Sequence, residues 1–268
     1  MPSLGSMLAH PATALAQTRI RRDSAVLGMT LEPPGLDPTA GASSAIAEVV
    51  LYNVFETLTK IRGDGSIAPL LAESWTVTPD NKTWAFKLRP GVTFHNGEPF
   101  SARTVKFAFE RAVESGSTNK DKAVFANIVN IALTDDLTVV LTLRNPNPDF
   151  LVQLGQATAS IVEPRSVATN ATQPVGTGPY RLESWNKGAS LVLSRWEQGR
   201  DAKRAPMRRV TIRFISDAAA QVAALLAGDV DCFPRVSAAK SLEQFKRDPR
   251  FQVLIGGSRA KTILPINN

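Results

Sequence analysis

From Trp75 to Leu88 apolar side chains recur at every second position on both sides of a turn-forming cluster, Pro79-Asp-Asn-Lys82. Trp75 and Val77 precede it, and Trp84, Phe86 and Leu88 follow it. Period-two alternation sets one row of side chains on a single face of a pleated strand, so the stretch predicts an antiparallel hairpin with one buried face. That face needs a second apolar layer, and 43% apolar residues in a chain of 268 are enough to build one. Glycine and proline number 17 and 18, an ordinary usage that excludes collagen-like and low-complexity chains. No stretch reaches the roughly 18 consecutive apolar residues of a membrane-spanning helix.

Around the hairpin the chain divides into short elements. Ser24 to Leu31 predicts a strand, and Glu32-Pro-Pro-Gly-Leu-Asp-Pro38 an ordered loop, since three prolines and a glycine forbid both helix and ladder. A helix follows, capped by Ser43 or Ser44, with Ile46, Val49, Val50 and Val54 on one face. Gly63-Asp-Gly65, Pro90-Gly91 and Asn96-Gly97 mark turns. Ser101 opens a second helix whose buried stripe is Val105, Ala108, Phe109, Ala112 and Val113.

Asp135-Asp136 reads as a turn into a strand, Leu137 to Leu143, stopped by Asn145-Pro-Asn-Pro148. The glycine loop Val175 to Tyr180 precedes strands near Arg181 to Trp185 and Leu191 to Arg195, and Val210, Ile212 and Phe214 alternate as a half-buried strand. Asp217 caps a helix with Ala219, Val222, Ala223 and Leu226 on one stripe, ended by Gly228. Phe251 to Ile255 and Thr262 to Leu264 are late strand candidates. The result is a mixed α and β chain, neither regularly βαβ nor all-β.

A search for catalytic chemistry is negative. The sequence holds no G-x-S-x-G elbow and no phosphate loop. Gly63-Asp-Gly65 and Gly176-Thr-Gly178 begin dinucleotide-like patterns, but Ala68 and Arg181 stand where the third glycine belongs. Two histidines, His10 and His95, are too few for a triad or a zinc site, and His95 beside Asn96-Gly97 reads as a solvated or turn-bonding residue. Asp229 and Asp231 follow a helix end and read as loop carboxylates. Cys232 is alone, so no internal disulfide or C-x-x-C pair exists. We expect no catalytic residue, no metal site and no cofactor.

Lys plus Arg exceed Asp plus Glu by 31 to 24, a net charge of +7. The densest basic stretch, Arg195, Arg200, Lys203, Arg204, Arg208, Arg209 and Arg213, reads as a solvated basic face. The alternative is a module binding nucleic acid or anionic lipid, although only Trp196 is at hand to stack on bases. Residues 1–17, with Ala14-Leu-Ala16 at a cleavage-like position, read as an export signal peptide or its remnant, or else as a loose N-terminus. No Lys or Arg precedes their apolar run, and His10-Pro11 interrupts it.

Three long segments then resemble the family 5 extracellular solute-binding proteins, the peptide and nickel receptors of bacterial ABC importers. They are Pro69-Leu-Leu-Ala-Glu-Ser-Trp75, Asp80-Asn-Lys-Thr-Trp-Ala-Phe-Lys-Leu-Arg-Pro-Gly91 and Val92-Thr-Phe-His-Asn-Gly-Glu-Pro-Phe100. Val175-Gly-Thr-Gly-Pro-Tyr180, Arg213-Phe-Ile-Ser-Asp217 and Leu225-Leu-Ala-Gly-Asp-Val-Asp231 continue the pattern in the same order, so that it runs from about Leu27 onward. The resemblance implies a mixed α/β fold of the type II periplasmic-binding-protein, peptide-receptor kind. It implies the first lobe only, with the second lobe absent. Residues 18–45 and 172–268 are expected to form the cleft-wall subdomain and residues 46–171 an inserted one.

The implied function is capture of an oligopeptide, a dipeptide or a similar solute for an ABC permease in the inner membrane. The implied protein is periplasmic and monomeric, contacts no nucleic acid and is a fragment with weakened binding. Two local departures from the family pattern stand at Arg103-Thr-Val105 and at Ser194-Arg-Trp-Glu-Gln-Gly199.

The loop Thr39-Ala-Gly-Ala-Ser-Ser44 is the expected cleft wall, with Thr39, Gly41, Ala42 and Ser43 as ligand-binding candidates. Small side chains and free N–H groups at a helix start let a ligand backbone or carboxylate approach closely, and the resemblance implies strand-like pairing with peptide main chain. Plain helix capping by Ser43 or Ser44 accounts for the same residues equally well. Gly176-Thr-Gly178 is expected to be a tight structural turn.

Overall fold

The computed structural model describes residues 23–41 and 43–256. The leader-like residues 1–17, Ala42 and the strand candidate Thr262 to Leu264 lie outside them. In chain order the first elements are β1 (Ser24–Met29), α1 (Ser44–Val50), β2 (Thr59–Ile61), β3 (Ile67–Pro69), β4 (Ala72–Val77), β5 (Thr83–Leu88), α2 (Ala102–Val113) and α3 (Lys122–Ala126). There follow β6 (Ile128–Asp135), β7 (Thr138–Leu143), α4 (Phe150–Gln153), β8 (Tyr180–Asn186), β9 (Ser190–Arg195), β10 (Arg209–Phe214), α5 (Ala218–Ala227) and α6 (Leu242–Arg247).

The expected hairpin forms as β4 and β5, with Trp75 opposite Phe86 and Val77 opposite Trp84. Trp84, Phe86 and Leu88 are buried, while Val77, next to the turn, is 42% exposed. The four-stranded sheet to which they belong has the order β4-β5-β7-β6, antiparallel throughout. Strand β6 was not foreseen. Only Ile128 and Ile131 along it are even half-buried, so an edge strand with no apolar period gives no sequence signal. Helix α2 covers the buried face with Val105, Ala108, Phe109 and Ala112, as its spacing predicts; Ala102 joins them, and Val113 is only half-buried. Its start is tied by the Ser101 N–H, which donates to Thr104 Oγ1 at 3.2 Å. Asp135 turns the chain by accepting the Leu137 N–H at 2.7 Å.

The second four-stranded sheet has the order β1-β10-β9-β8. Strand β1 runs parallel to β10, from Ser24 beside Arg209 to Met29 beside Phe214, and the remaining pairs are antiparallel. Gly28 lets the Phe233 ring approach β1 closely, since a Cβ there would stand 2.2 Å from it. One apolar cluster joins the two large sheets: Leu58, Phe86, Phe94, Tyr180 and Leu193 all belong to it.

Two local expectations fail. Helix α5 is capped by Asp217, whose carboxylate accepts the Ala220 N–H at 2.7 Å, and it ends at Gly228 with φ +77°. Of its expected stripe, Val222 and Leu226 are half-buried against an apolar cluster, but Ala219 and Ala223 are exposed and the buried residues are Gln221, Ala224 and Leu225. A helix that is nearly all alanine and leucine has little amphipathic signal, and its one polar residue turns inward. Gln221 Nε2 donates to Thr30 Oγ1 at 3.1 Å and to the Ile215 carbonyl at 2.9 Å, and Oε1 accepts the Ser237 N–H at 3.0 Å. Residues 251–255 form no strand among the described residues, and Leu254 and Ile255 are largely exposed.

Candidate ligand-binding site

The chain leaves β1 through the proline loop and is pinned before it reaches α1. The Leu36 N–H donates to the Ala171 carbonyl at 2.9 Å. Asp37 then folds the loop on itself: its Oδ1 accepts the Thr39 N–H at 2.8 Å and the Thr39 hydroxyl at 2.6 Å. A short polar side chain that binds the backbone two residues on is the ordinary Asx-turn device. Arg111, in the last turn of α2, donates to Thr39 Oγ1 at 2.5 Å and to Asp37 Oδ2 at 3.4 Å. The Thr118 hydroxyl donates to the Ala40 carbonyl at 2.7 Å.

Of the four candidates, Thr39 is buried and its hydroxyl is occupied on both sides. Gly41 is half-buried with its α-carbon against Ile46, whose Cδ1 would stand 2.4 Å from an added Cβ. Ser43 occupies the N-cap position of α1, and its side chain makes no capping hydrogen bond. Ala42 is not among the described residues.

The sheet of β1 and β10 carries a concavity of about 610 Å³, and none of Thr39, Gly41 and Ser43 is among its lining residues. Ala25, Leu27 and Met29 of β1 form its floor with Val210 and Ile212 of β10, and Tyr180 closes one side. Glu48 of α1 and Arg235 stand among its lining and pair with each other. The wall is therefore apolar, with its lining charges already satisfied.

A polar clasp ties the glycine loop before β8 to the chain around Asn53 and Val54. His95 is turn-bonding rather than solvated: Nδ1 accepts the Gly176 N–H at 3.3 Å, and Nε2 lies 3.0 Å from the Gly178 carbonyl. An acceptor at Nδ1 assigns the proton to Nε2, and the ring packs edge-on against Trp196 with centroids 4.9 Å apart. Burial lowers the imidazole pKa to about 4. The glycines of the same loop lie on the backbone of Asn53 and Val54, and an added Cβ would meet Val54 O at 1.9 Å from Gly176 and Asn53 O at 2.3 Å from Gly178. Buried Glu56 accepts from Thr177 Oγ1 at 2.8 Å and from Arg200 Nη2 at 2.6 Å. Loss of water around its carboxyl raises that pKa, and Arg200 opposes the shift. Gly176-Thr-Gly178 is thus the structural turn that was expected.

The basic stretch is not a free face. Arg195 pairs with Glu197, Arg200 with Glu56 and Asp201, Arg209 with Glu183, and Arg213 with Asp229. Sequence inspection misses these pairs because Glu56 and Glu183 are remote from their arginines along the chain. It misses Arg111 for the same reason: 74 residues separate it from Asp37. Among the described residues no group of three or more His, Cys, Asp or Glu side chains could hold a metal ion.

Residues 66–268 match the profile of the bacterial extracellular solute-binding proteins, family 5 Middle. The chain belongs to this family. One family 5 relative, the "Probable D,D-dipeptide-binding periplasmic protein DdpA" of Escherichia coli K12, is 27% identical over 100% of this chain and 54% of its own. Two solved structures share the fold. The binding protein AgaA of A. tumefacien R10, in complex with agropinic acid, superposes with a TM-score of 0.79 at 27% identity, over 84% of this chain and 46% of that one.

The periplasmic binding protein DppA of Helicobacter pylori, in complex with the peptide STSA, gives a TM-score of 0.74 at 26% identity, over 84% and 49%. The chain thus spans about half the length of the family 5 proteins it matches. Its fold is the mixed α/β first lobe of a periplasmic binding protein.

Proposed function

We propose that this chain is the substrate-binding component of an ABC importer for peptides or similar small solutes, acting in the periplasm with a permease in the inner membrane. The observation that carries the reading is the family 5 match across residues 66–268. The ligands named for its relatives, a D,D-dipeptide, the peptide STSA and agropinic acid, differ in their chemistry. A wall whose lining charges already pair with each other suits such variety, because it demands no fixed counter-charge. On this reading the protein is a monomer, has no catalytic role and needs no nucleic acid.

The ligand-facing surface in this reading is the loop containing Thr39, Gly41, Ala42 and Ser43. Since the Thr39 hydroxyl is occupied, its contribution there is the main chain around it. Residues 18–45 with 172–268 would form the cleft-wall subdomain, and 46–171 the inserted one. The pairing of β1 with β10, and the grouping of β4 to β7 in a sheet of their own, support that division. Residues 1–17 would serve export.

A receptor of this kind grips by closing two walls on a guest. The wall described here covers one side of it, and binding sites commonly bury 70–90% of a small ligand. The 268-residue chain alone is therefore expected to give no saturable heat with a mixture of di- and tripeptides at about 10 μM, a level that full enclosure would reach. Isothermal titration checks this. Micromolar binding by the isolated chain would overturn the one-wall reading.

A further inference from the structure

The loop that leaves β1 is held by a helix from the other sheet. Asp37 is nearly inaccessible, its side chain 6% exposed, and Arg111 opposite it is 21% exposed. The carboxylate uses Oδ1 for the Thr39 N–H and hydroxyl and Oδ2 for the guanidinium. The same guanidinium donates to Thr39 Oγ1, so the hydroxyl gives its proton to Asp37 and takes one from Arg111. The three groups form a closed ring of charge-assisted hydrogen bonds. A second tether, Thr118 Oγ1 to the Ala40 carbonyl, comes from the chain just beyond the same helix. Nothing else polar from α2 reaches this loop among the described contacts.

We propose that Arg111 is the positioning residue of loop 37–41, fixing its main chain through the Asp37–Thr39 turn. Without the guanidinium, Asp37 is a buried carboxylate served only by its own loop, and burying an uncompensated charge is unfavourable. The turn then opens to let water reach it. Arg111 touches no candidate ligand contact except Thr39, and acts on the rest through backbone geometry. A shift of α2 against β1 is thereby transmitted to residues 37–41. The bearing of this on solute capture rests on the cleft-wall reading above; the mechanical claim does not.

Amide hydrogen exchange on the 268-residue protein tests it in the absence of any solute. Arg111→Met should speed exchange at Thr39 and Ala40 by about tenfold or more, while amides of β5 and β7 stay within about twofold of the parent. Arg111→Lys, which keeps the charge but lacks the fork, should fall between. Unchanged exchange at Thr39 and Ala40 in Arg111→Met overturns the proposal. A uniform rise over the whole protein also overturns it, because the residue would then serve general stability. Should Arg111→Met fail to fold, Thr39→Val, which removes only the hydroxyl, must show the same local rise, and its absence is equally decisive. Failure of peptide binding would leave these outcomes untouched, so the two readings fall separately.

Discussion

At the scale of single residues, His95 sets a pH dependence of stability. A histidine in an unfolded chain titrates near 6.5, whereas burial brings this one to about 4. Between those values the unfolded chain holds a proton that the native protein does not. Stability is therefore complete above about pH 6.5 and falls as the pH drops toward 4. The loss between pH 7 and pH 5 amounts to about 2 kcal/mol from this residue. Urea denaturation at the two pH values should show the parent losing about that much more than His95→Gln; equal losses would remove His95 from the account. The turn at Asn96-Gly97 makes a turn-bonding histidine legible in the sequence. Its ring partners, the Gly176 N–H and the Gly178 carbonyl, lie some 80 residues on and leave no trace near it.

At the scale of elements, the glycine loop before β8 runs directly against the backbone of Asn53 and Val54. Gly176→Ala would drive a methyl group into the Val54 carbonyl, which is backbone and cannot swing aside. We expect a cost of about 3 kcal/mol or more, seen as a Tm lower by about 6–12 °C or as failure to fold. Gly63→Ala, with nothing within 4 Å of the new methyl, should leave Tm nearly unchanged. Similar losses from both would deny the close approach.

Elements with strong local periods, β5, α2 and β10, could be read directly because each presents one apolar face to the core. Those without a period could not. Strand β6 is defined by its hydrogen bonds to β7, and the rotation of α5 by the partners that Gln221 finds on Thr30, Ile215 and Ser237. At the candidate site the loop itself was visible as a proline- and glycine-punctuated stretch before a helix. The Arg111 tether was not, because it is a contact between elements far apart in the chain.

At the scale of the whole molecule, the basic stretch from Arg195 to Arg213 offers an anion less than its seven cations suggest. Most of the arginines between Arg195 and Arg213 already face carboxylates. Surface pairs of this kind add little stability, but they do neutralise the local field. A gel-shift titration with a 30-base-pair duplex should show no complex at about 10 μM protein and about 0.15 M salt. A shifted band that vanishes steeply with added salt would mean that the arginines are free for phosphate.

The parallel pairing of β1 with β10 also dictates an order of events during synthesis. The sheet of β4 to β7 is complete once Leu143 has emerged from the ribosome, for every strand it needs lies upstream. Ser24 to Met29, though made first, must wait for Arg209 to Phe214 and remains an unmated strand while the intervening chain is made. Non-local pairing of this sort is slow and leaves a sticky intermediate. A nascent chain of this design therefore carries an open strand edge for as long as residues 209–214 are still to be made.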